Sequence, residues 1–358
     1  MSYRIPIGPY HLALEEPYKI ELECQGETVT GAHIKVGFNF RGIEWLAQRK
    51  NITQCIALME RVCGICSNVH SMTFCMALEE IGGIEVPRRA QYVRVMMAEL
   101  ERLHSHLLWT GVAAEQIGFE TLFMQIFRFR EQVMNLLESI SGNRVNYSMN
   151  RIGGVNRDVR NPEAIRDCVR AVHAIVSEKL IPICTTDRSI LRRCTKVGVL
   201  TMHDALAYGA VGPVARASGV DTDMRRDRPY LAYGNLQFQV PVRAEGDVLA
   251  RVVVRALEML ESCKIVGQVL DNMPDGPLHA GNIYSVPAGE AVVRVEAPRG
   301  EVFYFVASDG SDTPLRVKVR TPSFANIPTV VPMVTGNELA DIPLVQAAID
   351  PCYSCTDR

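Results

Sequence analysis

The feature that most constrains this chain is a pair of C-x-x-C motifs set far apart along it. "ERVCGICSNVH" carries Cys63 and Cys66, and "DPCYSC" carries Cys352 and Cys355. Residues three apart lie one helical turn from each other, so both sulfurs of a pair can face one point where the segment enters a helix. Two such pairs can supply four thiolates to one metal, the chelating logic of zinc, iron and nickel centres. Small zinc ribbons bring their pairs together within roughly 15–20 residues. Here most of the chain intervenes, so a shared centre has to be a product of the whole fold. Joining distant segments adds little entropic cost once the fold places them together, and such a centre is expected to be catalytic rather than structural. Spacing alone also allows two unrelated pairs, or two redox motifs.

The cysteine total is eleven. An odd number in a chain this long argues against a disulfide framework, and the start of the sequence lacks the pattern of a secretory signal. Reduced thiols in a cytosolic compartment are the expectation. Cysteines outside the two pairs, such as Cys168 and Cys184, read as small buried hydrophobes. With 47% hydrophobic residues and a net charge of -2, the chain reads as globular and gives no reason to expect nucleic acid as a partner. No apolar run approaches about 18 residues, so no segment is expected to span a bilayer. Work at a membrane would need other subunits to hold the chain there.

"YKIELECQGETVTGAHIKVGF" alternates around a Gly-Glu turn, which predicts a β-hairpin. From Ile43 the period becomes helical. Long helices are predicted after Pro87, through "ETLFMQIFRFREQVMNLLESISG" with Gly142 as a stop, through "NPEAIRDCVRAVHAIVSEKLIPIC", and through "DVLARVVVRALEMLESCKIVGQVLDN". Strands return in "AVVRVEAPRGEVFYFVASDG" and "PLRVKVRTP" around Asp309-Gly310. "ELADIPLVQAAID" predicts a short final helix, and "NRIGGVNRD" reads as a loop between helices. The fold class is α+β, mainly helical, in a single domain over 1–358. It divides into an N-terminal β region (1–41), a central helix bundle (42–285), and a C-terminal β region with the cysteine-bearing tail (286–358).

The flanks of the cysteine pairs carry more than spacing. "RVCGICSNVH" and "DPCYSC" resemble the two nickel-binding signatures of [NiFe] hydrogenase large subunits. "GPYHLALEEP", "RGIEWLAQR", "GIEVPRRAQY", "ELERLHSHLL", "SGNRVNYSMNRIGGVNRD", "EAPRGEVFYF" and "RTPSFANI" resemble, in order, blocks of the membrane-bound, energy-converting group of Ech type. That group is related to the catalytic-core subunit of respiratory complex I. The likeness runs over nearly the whole chain and implies a [NiFe] hydrogenase large-subunit-like fold.

It also implies a Ni–Fe centre whose iron carries CO and CN⁻. By motif position all four cysteines bind nickel, with Cys63 and Cys352 terminal and Cys66 and Cys355 bridging to the iron. Thiolates are soft, strongly donating ligands suited to such metals. Dihydrogen would be split heterolytically, a terminal thiolate taking the proton. The resemblance places His70 against a bridging sulfur, Arg299 of "EAPRG" over the open metal position, and Ser323 of "TPSF" as a donor to a cyanide. Read without it, these are a core histidine, a solvated turn arginine and a turn serine. Glu16 of "LEEP" matches a first proton acceptor beside a terminal cysteine, with Glu15 one residue away as the competing choice. Glu44 of "RGIE" matches a possible Mg²⁺ site. The family's histidine partner for that ion is replaced by Arg358, which cannot ligate a metal. "DPCYSCTDR" looks like the form left after the family's C-terminal processing. His104 and His106 point to different faces of one helix, and neither is expected to ligate metal. Glu115 is given no role.

The function implied is reversible H₂ formation from protons with electrons from reduced ferredoxin. The implied partners are a small subunit carrying a [4Fe–4S] cluster, ferredoxin-type iron–sulfur subunits, and integral membrane subunits that translocate ions. The chain would lie peripherally on the cytoplasmic side of the cell membrane. Two other readings stand beside this one. A complex-I-like quinone-site subunit without hydrogenase activity lacks the four nickel cysteines, and a four-cysteine zinc scaffold leaves "EAPRG" and "RGIE" unexplained.

Overall fold

The alternation of Ile20, Leu22 and Cys24 with polar neighbours makes one face of an N-terminal sheet apolar, and that face is buried. A computed structural model describes residues 2–12 and 14–358 of the chain. In it, β1 (Ser2–Ile7), β2 (Lys19–Gln25) and β3 (Thr28–Lys35) form an antiparallel sheet in the order β1-β2-β3. The predicted hairpin is β2–β3, turning at Gly26 with φ 62. The outer strand β1 lies inside the expected N-terminal β region but outside the predicted hairpin. The sheet packs on Val330, Met333, Val345 and Tyr353, so it covers the segment that carries the second cysteine pair.

Helices α1 (Ile43–Ala47), α2 (Ile52–Glu60) and α3 (Ser67–Gly82) follow. α4 (Arg88–Ile117) starts after Pro87 and stops at Gly118, and α5 (Glu120–Ser141) stops at Gly142. Both glycines have positive φ, the backbone state that ends a helix at little steric cost. A small hairpin, β4 (Asn150–Arg151) and β5 (Gly154–Val155), stands where a plain loop was expected. α6 (Pro162–Ile175) runs through a π-turn at Val176–Leu180 into Ile181–Thr186. Pro182 lacks the N–H and crowds the carbonyl four residues back, which accounts for the wider turn within the predicted helix. The helix Val248–Asn272 is capped by Asp247, whose side chain accepts from the Ala250 N–H.

α4 lies at the centre. Its Val93, Met96, Leu100 and Leu107 share one core with Val133, Leu137, Met259 and Val266. Burying each such side chain contributes about 1.5–3 kcal/mol, and Leu100→Ala is expected to cost about 2–5 kcal/mol. Charged residues of α4 also point inward. Glu99 accepts from Arg102, Arg225, Tyr233 and Ser262. Arg102 donates to the carbonyls of Glu296 and Ala297, which fixes the end of a strand beside Arg299.

β6 (Ala288–Ala297), β7 (Gly300–Asp309) and β8 (Arg316–Arg320) form the C-terminal antiparallel sheet. The Asp309-Gly310 turn separates β7 from β8, while Pro298-Arg299 closes the β6–β7 hairpin because Ala297 pairs with Gly300. The predicted final helix is shorter, Ile342–Ala347, and a further helix, Tyr353–Asp357, follows it.

Candidate metal centre

Cys66 caps α3, and Cys352 caps the Tyr353–Asp357 helix. The leading cysteine of each pair therefore lies outside the helix, with its sulfur turned onto backbone N–H groups. Cys63 Sγ accepts from Ile65 and Cys66 at 3.3 and 3.2 Å, and Cys352 Sγ from Cys355 at 3.4 Å. Such donors favour the thiolate.

The fold brings all four cysteines into one buried cluster. The sulfurs of Cys63, Cys66 and Cys355 lie within 4.8 Å of one another. Cys352 Sγ is 3.7 Å from Cys63 Sγ and 2.8 Å from Cys355 Sγ. Burial opposes charge on Cys63, yet hydrogen bonds from Cys352, Cys355 and Cys66 outweigh it and hold Cys63 well below the usual thiol range. Burial pushes Cys355 up. Four thiolates at this spacing need a cation among them. The other seven cysteines are unbridged, and all but the half-buried Cys168 are buried.

Several contacts hold the two cysteine loops against each other. Arg41 donates to the carbonyls of Arg61, Val62 and Ser354, joining both pairs. His104 Nε2 meets the Ile65 carbonyl at 2.9 Å. Asp357 accepts from the N–H groups of Gly37 and Asn39, and Tyr18 stacks on Tyr353 with centroids 4.1 Å apart. His106, on another face of α4, meets Glu258 at 2.9 Å.

Arg299 is 3% exposed, so it is not a solvated turn residue. Its Nε donates to the Asp350 carbonyl at 2.8 Å and its Nη2 to Asp350 Oδ1 at 2.7 Å. Nη1 is buried and has no partner among the described residues. Its charge acts on Cys63 and Cys66. A soft four-sulfur donor set beside a buried guanidinium with a free N–H fits a nickel–iron group that bears anionic ligands.

His70 Nδ1 meets Tyr304 Oη at 2.9 Å, and its buried Nε2 has no partner among the described residues. Burial lowers the ring's pKa to about 4, so the imidazole is neutral. Ser323 Oγ accepts from the Cys352 N–H at 3.0 Å, which leaves its own proton free to be donated. Glu16 Oε2 accepts from the Ser354 N–H at 2.8 Å, between the two C-terminal cysteines. Burial raises its pKa against that hydrogen bond. Glu15 is exposed.

Glu44 is surrounded by cations. Arg358 Nε and the Val319 N–H reach Oε1 at 2.8 and 3.0 Å, and Lys318 Nζ reaches Oε2 at 2.9 Å. Mg²⁺ needs a shell of oxygen ligands, so the surroundings of Glu44 do not fit the possible magnesium site. Arg358 and Lys318 supply the compensating charge.

The sequence reading missed Asp350, Arg41, Tyr304 and Glu101. Asp350 stands in "DPC", Arg41 in "RGIE" and Tyr304 in "EAPRGEVFYF", so their motifs were in view. Glu101 stood in "ELERLHSHLL", but an acidic residue on a helix is usually solvated, so it was given no role.

The family described as respiratory-chain NADH dehydrogenase, 49 Kd subunit, matches residues 116–284 and 279–358. The family described as nickel-dependent hydrogenase matches residues 41–110. The carbon monoxide-induced hydrogenase of Rhodospirillum rubrum is 42% identical over 100% of this chain and 99% of its own. The membrane-bound hydrogenase subunit alpha of Pyrococcus furiosus is 41% identical over 99% of this chain and 87% of its own. Among solved structures, a chain of the archaeal membrane-bound sulfane sulfur reductase superposes with a TM-score of 0.94 at 34% identity. That match covers 100% of this chain and 98% of the other. The chain therefore belongs to the family that unites energy-converting [NiFe] hydrogenase large subunits with the 49 kDa subunit of respiratory-chain NADH dehydrogenase.

Proposed function

We propose that this chain is the catalytic subunit of an energy-converting [NiFe] hydrogenase, forming H₂ reversibly from protons with electrons from reduced ferredoxin. The observation that carries the reading is the buried four-sulfur cluster beside Arg299 Nη1, which has no partner among the described residues. All four cysteines would hold nickel, and Cys66 and Cys355 would also hold an iron bearing CO and CN⁻. When bound, this group supplies the redox chemistry of the H–H bond, which no side chain can perform.

The chain's own residues hold and surround that group. Arg299, fixed by Asp350, presents a donor in a water-poor site, where a preorganised charge acts most strongly. The Ser323 hydroxyl would donate a hydrogen bond to a cyanide, and the His70 Nε2–H would donate one to the sulfur of a cysteine that holds the iron. Glu16 takes and releases protons beside Cys352, since burial moves its carboxyl toward the working range. Glu44 anchors Arg358.

Electrons arrive through a small subunit with a [4Fe–4S] cluster and ferredoxin-type subunits. No helix among the described residues is long and apolar enough to cross a membrane. Integral membrane subunits hold the chain at the cytoplasmic face and couple turnover to ion translocation.

A second reading, favoured by the structural match, is a subunit that reduces sulfane sulfur. A quinone-site subunit like that of NADH dehydrogenase is the third, favoured by the match over residues 116–284 and 279–358. Infrared spectroscopy of the purified complex, with nickel and iron quantified on the same sample, tests all three. CO and CN⁻ stretches with about one nickel per chain, together with H₂ turnover, are the expected result. Those stretches with sulfane sulfur reduction and no H₂ turnover would favour the second reading. Zinc, or no metal, without the stretches would sink the hydrogenase reading.

A further inference from the structure

We propose a second proton route, running from the Cys66 side of the centre through Glu101 and Glu60 to a surface cavity. It rests on the hydrogenase reading and is separate from Glu16, which serves the other cysteine pair.

Glu101 of α4 is 0% exposed. Its two oxygens accept from the N–H groups of Asn68 and Val69 at 2.7 and 3.1 Å, in the first turn of α3 just after Cys66. Other buried carboxylates here, such as Glu79, Glu99 and Glu258, are paired with arginines. Glu101 has no ion pair among the described residues. A buried carboxylate without a cation is costly. The group makes chemical sense where it has to carry a proton.

Glu60, at the end of α2, is 1% exposed and forms the floor of a surface cavity of about 380 Å³, beside Thr53, Ala57, Ser148, Asn156 and Tyr284. Its Oε1 accepts from the Ser148 N–H at 2.9 Å and from Ser71 Oγ at 3.5 Å, and Arg61 lies 3.2 Å from Oε2. Asn68, Ser71 and Asn150 fill the interval between the two carboxyls. Asn150 Nδ2 donates to Asn68 Oδ1 at 2.9 Å and to Ser71 Oγ at 3.0 Å. Asn68 Nδ2 and Asn150 Oδ1 are buried without partners among the described residues. A buried donor and acceptor left open are where a water would bind. Amides do not relay protons well, so the carriers are the Ser71 hydroxyl and water bound at these two atoms. Burial raises both carboxyls, and the charges of Cys63 and Glu60 add to it at Glu101.

During H₂ formation a proton from the cavity goes to Glu60, then through Ser71 and water to Glu101, and on to the sulfur cluster. Each carboxyl yields one proton for each it gains, and no electron moves along the path. H₂ oxidation runs it in reverse.

The test uses the purified complex. Absence of CO and CN⁻ stretches in the wild type would overturn the hydrogenase reading itself. Where they are present, Glu101→Gln is expected to keep nickel and the stretches while turnover falls at least about tenfold, the low side of what a lost proton carrier costs. The wild type should also show a protonated carboxyl stretch that shifts in D₂O and is missing from Glu101→Gln. Wild-type turnover, or no such stretch, would overturn the route. If Glu101→Gln loses nickel, Glu60→Gln and Ser71→Ala decide, because both leave the contacts of Glu101 with α3 in place. Slowed turnover with a raised solvent isotope effect supports the route, and wild-type rates in both end it.

Discussion

Arg299 and Asp350 are joined by two hydrogen bonds, one to the Asp350 carbonyl at 2.8 Å and one to its carboxylate at 2.7 Å, inside a site that admits almost no water. The pair ties the β6–β7 turn to the segment leading into Cys352. Removing one partner of a buried ion pair costs about 3–5 kcal/mol. Asp350→Asn is therefore expected to lower the urea midpoint markedly. Arg299→Lys keeps the charge but loses the planar fork. It is expected to keep its nickel, measured by elemental analysis, while turnover falls on the order of 100-fold.

The turn that carries Arg299 is positioned by backbone packed on backbone. A Cβ at Gly212 would lie 2.4 Å from both the Arg299 carbonyl oxygen and Gly300 Cα, and Gly212 has φ +65. Gly212→Ala is expected to cost about 1–3 kcal/mol from overpacking and a similar amount from backbone strain. Gly26→Ala, with φ +62 and open space around it, should incur only the strain. Thermal melts of the two variants compare them, and only Gly212→Ala should lose activity.

Arg358 on Glu44 implies chelator resistance. Treatment with EDTA is expected to leave activity and the melting temperature unchanged, and elemental analysis to find no stoichiometric magnesium. Glu44→Gln weakens the contacts to Arg358 and Lys318 and should cost about 1.5–3 kcal/mol, read as a lower urea midpoint. Stability restored by added Mg²⁺ in the wild type would contradict this.

Acid should destabilise the fold in two stages. Burial, with help from the Arg130 charge, lowers His104 to about 3, against about 6.5 in an unfolded chain. The unfolded state binds the extra proton between those values, so stability falls as pH drops below about 6.5. Burial works to raise Glu99, but Arg102 and Arg225 outweigh it and hold the carboxyl at about 2, against about 4.3 unfolded. Its contribution is present above about pH 4.3 and is lost as pH falls toward 2. Urea midpoints measured across this range should show both declines. His104→Gln should weaken the first and leave the second.

The cysteines differ from these residues in kind. Cys63→Ser or Cys355→Ser replaces a soft ligand with a hard, weakly acidic hydroxyl. Each is expected to abolish nickel retention on gel filtration. Cys184→Ser, buried in the apolar core, should keep nickel and lose only stability.

The sequence by itself determined the helical frame and the four cysteines that meet in one cluster. Pro87, Gly118, Gly142 and Asp247 bound their helices through local backbone geometry and capping, which a short window of residues contains. The four cysteines and Arg299 stood in motifs. Tertiary structure alone decided what depends on distant partners. Tyr353–Asp357 is too short to show a helical period, and β1 forms only because β2 is there to pair with it. Arg299 became a buried residue because α4 holds the neighbouring strand end and Asp350 meets it. Arg358 and Lys318 meet Glu44 only once the chain is folded. Glu101 reads as a surface acid on α4 until α3 is laid across it. Local chemistry sets the elements, and burial sets what their side chains do, because the cost of an unpaired charge appears only once water is removed.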